Sequence, residues 1–190
     1  ASGRINASNP CSEYMHLDDS ACNLASINLM KFLGESGEFD TVGFRHAVDV
    51  LITAQDIVVD ASSYPTPEIG ANAHAYRELG LGYANLGALL MELGMPYDSE
   101  AGRQYAGAVT ALLCGQAYQQ SARIAAELGA YEGYEKNRDP MLGVIEKHRN
   151  QAMKLSPTLV PLDLLHAARS SWDQALALGR EAGFRNSQAT

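Results

Sequence analysis

Asn9, Cys11 and Glu13 stand two residues apart in the stretch NASNPCSEYMHLDDSACNLASINL, residues 6–29, and a second cysteine, Cys22, follows eleven residues after the first. In an extended chain residues i, i+2 and i+4 point to one side. A carboxamide, a thiol and a carboxylate therefore converge if this stretch is extended. Pro10 favours that outcome by fixing its own φ and moving Asn9 away from the helical region. A carboxylate beside a thiol disfavours the thiolate, because like charges repel. The pairing is wrong for a nucleophilic cysteine, which works beside an imidazolium, and is compatible with a thiol that reacts as a neutral hydrogen-atom donor. Two other readings stay open on the residues alone. One is a polar loop with an ordinary buried thiol. The other is a zinc site built from Cys11, His16 and Cys22 with Asp18 or Asp19 as a further ligand, although zinc sites more often pair cysteines as C-x-x-C.

The elements that would position these groups are mostly helices. Residues 1–20 read as loop and extended chain, rich in Asn, Ser, Pro and Asp. CNLASINL alternates Leu24, Ser26 and Asn28 against Ala25, Ile27 and Leu29, which predicts a short strand. Asp40 or Thr41 caps a helix to about Asp60, with Phe44, Ala47, Val48, Leu51, Ile52, Val58 and Val59 on its apolar side. SSYPTPEIG breaks it with two prolines. Gly80 and Gly82 suit a tight strand or a close backbone approach, and a helix over 85–93 ends at Gly94. A long helix from about Ser99 to Leu128 stops at Gly129, with Tyr105, Val109, Leu112, Ile124 and Leu128 as its buried side. Its alanines and glycines would let neighbouring helices come close. YEGYEKNRDP reads as a polar connection. Helices at about 140–153 and 161–181 follow, the last with Leu162, Leu165, Trp172 and Leu176 inward. The pattern is mainly helical with three or so short strands, compatible with part of an α/β barrel.

Composition narrows the function classes. The chain has 190 residues, 46% of them hydrophobic and 19% charged, with a net charge of −8; this is a globular composition with no basic stripe for nucleic acid or a membrane surface. No apolar run is long enough to span a bilayer, and ASGRINASNP has no apolar signal core. Three cysteines in a chain this long do not make a secreted disulfide scaffold, so a reducing cytoplasm is expected. Cys114, in the long helix, reads as a small buried hydrophobe. The glycines of LGLGYANLG miss the G-x-G-x-x-G offset. His46, His74, His148 and His166 share no ligand spacing, His16 is of slightly more interest, and the tyrosines have no relay spacing. The abrupt start and the strand-like GFRNSQAT at the end read as a piece of a longer protein.

NPCSEYMHLDDSACNLASINL closely resembles the active-site loop and following strand of ribonucleotide reductases, most of all the adenosylcobalamin-dependent class. The N-P-C-x-E loop, the cysteine eleven residues on and the C-N-L-A-S-I-N-L strand agree in order. YPTPEIGANAHAYRELGLGYANLGALLMELGMPYDS resembles the segment that follows, and GFRNSQAT the approach to that family's phosphate-binding loop. The resemblance therefore runs over essentially the whole chain.

It implies an α/β fold, a piece of a ten-stranded α/β barrel, with residues 1–190 as part of the catalytic domain: 1–20 the active-site loop and 21–190 the strand-and-helix remainder. It implies reduction of a ribonucleotide to the 2′-deoxyribonucleotide. Cys11 matches the cysteine that becomes a thiyl radical and takes the 3′-hydrogen. Glu13 matches the base for the 3′-hydroxyl proton, and Asn9 the amide that orients the ribose. Cys22 matches one of two cysteines that supply reducing equivalents; its partner would lie on an earlier strand that this chain lacks. The implied cofactor is adenosylcobalamin, whose cobalt–carbon bond would break homolytically to start the radical; the alternative in the same family is a metal-radical small subunit. The implied partners are a thioredoxin- or glutaredoxin-type reductant and a possible second copy of the chain, with no nucleic acid and no membrane. The piece alone is expected to be inactive.

Overall fold

The computed structural model describes residues 2–9 and 14–189. Two strands, β1 (Asn23–Asn28) and β2 (Leu79–Ala84), pair in parallel, with Leu24 opposite Gly80, Ser26 opposite Gly82 and Asn28 opposite Ala84. Parallel strands need a long crossover. Here it consists of a short 3-10 turn (Leu29–Phe32), α1 (Thr41–Ala61) and α2 (Pro67–Tyr76). After β2 come α3 (Leu86–Glu92), α4 (Glu100–Leu128), α5 (Tyr134–Ala152) and α6 (Leu162–Ala182). The chain then returns to β2, where Ala189 forms a parallel bridge with Leu79. Among the described residues the sheet thus holds two strands and one added bridge rather than three full strands, and it is not closed.

One face of β1 is covered and the other is open. Ile27 is buried against the helical layer, whereas Leu24 is 69% exposed. α1 lays Phe44, Val48, Ile52 and Val59 on the strands and on α4, and Asp40 caps it by accepting from the Gly43 N–H at 2.8 Å. α4 is the central helix and packs along α6. At Gly115 an added Cβ would come within 2.7 Å of Ser171 Oγ and 3.0 Å of the Trp172 ring. The close helix approach expected from the small residues is therefore real at that point.

Several local expectations are corrected. PTPEIG does not merely break α1: Thr66 caps α2 by accepting from the Ile69 N–H, with Pro67 at its first position. α5 begins at Tyr134, inside the stretch read as a connection, and continues through Pro140. Tyr134 is buried against Tyr131 and Phe184, so packing overrides the polar local sequence. Leu128, Val58 and Leu162 are exposed rather than inward. Leu128 is the last residue of α4, Val58 lies at the edge of the α1 stripe, and Leu162 precedes the first full turn of α6, whose buried side is carried by Leu164, Leu165, Ala168 and Trp172.

A buried ionic network joins the start of β2 to α1 and to the returning chain. Arg77 has a left-handed backbone (φ 52°). Its guanidinium donates to Asp56 Oδ1 at 2.9 Å, to both Asp60 oxygens at 2.7 and 2.9 Å and to the Asp56 carbonyl at 2.8 Å. Burial by itself would lower its pKa, but Asp60 and Asp56 more than offset that and hold the charge. Asn186, fully buried, donates to Asp56 and to the Arg77 carbonyl and accepts from Ser121. Asp56→Ala would leave Arg77 to Asp60 alone, take the carboxylate from Arg185, which reaches it at 3.4 Å, and leave the buried Asn186 amide without that acceptor. Loss of about 3 kcal/mol of stability is expected, read from the denaturant midpoint of the full-length protein; an unchanged midpoint would contradict the network's role.

Candidate active site

The residues flanking the N-P-C-x-E loop form a short antiparallel stem. Ser8 bridges Met15, the Asn9 N–H donates to the Tyr14 carbonyl at 3.3 Å, and the Tyr14 N–H donates to Asn9 Oδ1 at 3.0 Å. Asn9 is therefore fixed through the oxygen of its side chain. Cys11 and Glu13 lie outside the described residues, as does the convergence of Asn9, Cys11 and Glu13 expected from an extended loop.

Cys22 is part-buried one residue before β1 and donates to the Asn23 carbonyl at 3.6 Å. The same carbonyl accepts from Gln55 Nε2 at 2.9 Å, and Gln55 also donates to the Gly80 carbonyl at 2.9 Å. Gln55, buried on α1, thus ties the start of β1, next to Cys22, to β2. Gly80 supplies the room: a Cβ there would stand 2.9 Å from Cys22 Sγ and collide with Leu24. At Gly82 the nearest atom to such a Cβ is Ser26 Oγ at 3.9 Å. Close approach is required at Gly80 only. In the full-length protein Gly80→Ala should cost about 1–3 kcal/mol of stability from overpacking and lower turnover, whereas Gly82→Ala should do neither. Equal effects of the two substitutions, measured by denaturation and steady-state assay, would contradict the assigned packing.

Asn9 and Cys22 line one cleft of about 400 Å³, together with Ser8, Tyr14, Asp18 and Leu24. Behind it lies a buried polar group that the sequence reading passed over. Glu78, at the foot of β2, is 1% exposed. Its Oε1 accepts from the Tyr14 hydroxyl at 3.2 Å and lies 3.1 Å from His16 Nδ1. That second approach is short but poorly aligned, so Nδ1 and Glu78 Oε2 both lack a well-formed hydrogen bond. Burial pushes the Glu78 carboxyl up to about 7, lowers His16 and raises the Tyr14 phenol. His16 also meets Ser187 at 3.3 Å through Nε2 and stacks on Tyr14. Among the described residues no three His, Cys, Asp or Glu side chains gather at metal-binding range, and His16 is engaged with Glu78 and Ser187 rather than with Cys22. Cys114 lines a separate pocket with His148 and Trp172, and burial pushes its thiol up to about 12. LGLGY is β2 itself, paired in register with β1, and not a dinucleotide loop.

The family model of the ribonucleotide reductase barrel domain matches residues 1–190. The chain belongs to that family. Among relatives, a vitamin B12-dependent ribonucleotide reductase of Rhodopirellula baltica is 52% identical over 189 residues, covering 100% of this chain and 18% of the relative. One of Streptomyces coelicolor is 50% identical over 196 residues, covering 100% of the chain and 20% of the relative. One of Bradyrhizobium diazoefficiens is 47% identical over 206 residues, covering 100% and 16%. The barrel-domain chain thus spans about a fifth of the length of these relatives. No helix among the described residues is long and apolar enough to cross a membrane.

Proposed function

We propose that this chain is the part of a cobalamin-dependent ribonucleotide reductase that carries the radical cysteine, the substrate base and one reducing thiol. The carrying observation is that Asn9 and Cys22, from separate segments, line one cleft at the open end of the β1–β2 pair in a chain of this family. The domain division is read as 1–20 for the active-site loop and 21–190 for its scaffold.

In this reading the substrate ribose lies in the cleft, held by hydrogen bonds from the Asn9 amide. The Cys11 thiyl takes the 3′-hydrogen, and Glu13 accepts the 3′-hydroxyl proton as general base. The C2′–O bond breaks and the oxygen leaves as water. Cys22 and a second cysteine outside this chain give up two electrons and two protons in all and become a disulfide; a C2′–H bond forms. Glu13 returns its proton to the 3′-oxygen and the hydrogen held on Cys11 returns to C3′, so the thiyl is regenerated. The disulfide is then reduced by a dithiol of the thioredoxin or glutaredoxin type, in a reducing cytoplasm. Cys114 is a poor second reductant, because it lines a pocket apart from Cys22.

Adenosylcobalamin supplies the initiating radical when bound. A cleft of about 400 Å³ suits a nucleotide sugar and is too small for a corrin. Residues outside this chain would hold the corrin, and no step above is routed through it. The discriminating experiment is deoxynucleotide formation by the full-length protein with and without added adenosylcobalamin. Strict dependence supports the reading; turnover that needs a metal-radical subunit instead would move the protein to the other branch of the family.

A further inference from the structure

Resting on that reading, we propose that Glu78 is a positioning residue for the reduction: through Tyr14 and His16 it anchors the stem that carries Asn9. Three observations meet there. Tyr14 is bound to Asn9 at both ends of the stem, by the 3.0 Å side-chain bond and the 3.3 Å backbone bond. The Tyr14 hydroxyl reaches past the cleft to Glu78, 64 residues away in sequence and immediately before β2 rather than on the loop. Glu78 is sealed from solvent, yet one carboxyl oxygen has no donor. A buried carboxyl with an unmet oxygen is costly unless it serves something. What Glu78 holds is the one polar tether from the foot of this strand to the stem among the described hydrogen bonds.

The groups facing Glu78 set how it responds to pH. From the N-terminal segment these are Tyr14 and His16; Cys22 at the start of β1 acts on Tyr14; Tyr64, from the segment after α1, feels the Glu78 charge. Arg77, its neighbour on the chain, is turned to Asp56 and Asp60 and is not available as a counter-ion. Glu78 is therefore without a permanent cation, and burial places its titration at about 7. As a neutral acid it can share its proton with His16 Nδ1 while accepting from Tyr14. As an anion it is the stronger acceptor for the Tyr14 hydroxyl, which tightens the tether. Turnover should rise as pH rises through 7.

The test uses the full-length protein carrying Glu78→Gln or Glu78→Ala. Gln keeps an acceptor for Tyr14 and is neutral at every pH. With Glu78→Gln, turnover near pH 6 should match the parent and the limb near pH 7 should vanish. With Glu78→Ala, kcat should fall roughly tenfold to a hundredfold with little change in KM, and the Tyr14 amide should exchange hydrogen faster. A Gln variant with the parent's pH limb overturns the proposal even if the Ala variant fails to fold. So does an Ala variant with unaltered kcat and Tyr14 exchange. Should the reductase reading itself fail, the parent would make no deoxynucleotide, and the Tyr14 exchange rate would still decide whether Glu78 holds the stem.

Discussion

Cys11→Ser in the full-length protein should abolish deoxynucleotide formation, with a loss of about 10⁶-fold, the scale seen when a residue that makes the first covalent change is removed. The argument is one of bond strength. A serine O–H bond is far stronger than a thiol S–H bond, so a serine cannot be turned into a radical by the same initiator. The neighbouring Glu13 sharpens the point. A carboxylate two residues away would suppress a thiolate, and a cysteine acting as a nucleophile would then be poorly served, whereas hydrogen-atom transfer needs the neutral thiol. Substrate binding should survive, because a hydroxyl fits where a thiol did. Nucleotide affinity within a few-fold of the parent, with turnover lost, is the expected pair of results. Retained turnover would remove the thiyl assignment.

Cys22→Ser should act at a different stage. The initiating hydrogen transfer does not use this thiol, so the variant should still activate substrate. It cannot supply its half of the two electrons that replace the 2′-oxygen. Steady-state formation of deoxynucleotide should fall by about 10³-fold or more, and added dithiol should not restore it. The structure bears on why no other thiol would substitute. Gln55 fixes the start of β1 next to Cys22, and Gly80 makes room for its sulfur at the cleft. Cys114, in a separate pocket with its thiol pushed up to about 12, cannot take its place. Normal cycling by Cys22→Ser would end its redox role.

The chemistry of the site was more legible in the sequence than its support. Asn9 and Cys22 stood out by residue type and spacing, and they line one cleft. The alternation from Leu24 to Leu29 marked β1, and Asp40, Ser99 and Gly129 marked helix ends by side-chain caps and a permissive backbone, which are local signals. Glu78 and Gln55 left no such mark. Neither belongs to a recognisable motif, and what distinguishes each is a partner 64 or 32 residues away. The same holds for Arg77, whose network depends on the returning residues 185–186. α2 could have been found, because Thr66, Pro67 and Glu68 form a helix start; the prolines of the stretch were read as breakers instead. The first turn of α5 could not, because Tyr134 is helical through its packing with Tyr131 and Phe184 and not through its polar neighbours.

The central claim is that a cysteine radical removes the 3′-hydrogen of a bound ribonucleotide. Single-turnover rates of the full-length protein with adenosylcobalamin, compared for substrate carrying protium or deuterium at C3′, test it most directly. The account predicts slower deoxynucleotide formation with deuterium at that position. Equal rates with the two substrates, in a regime where the chemical step limits, would contradict it.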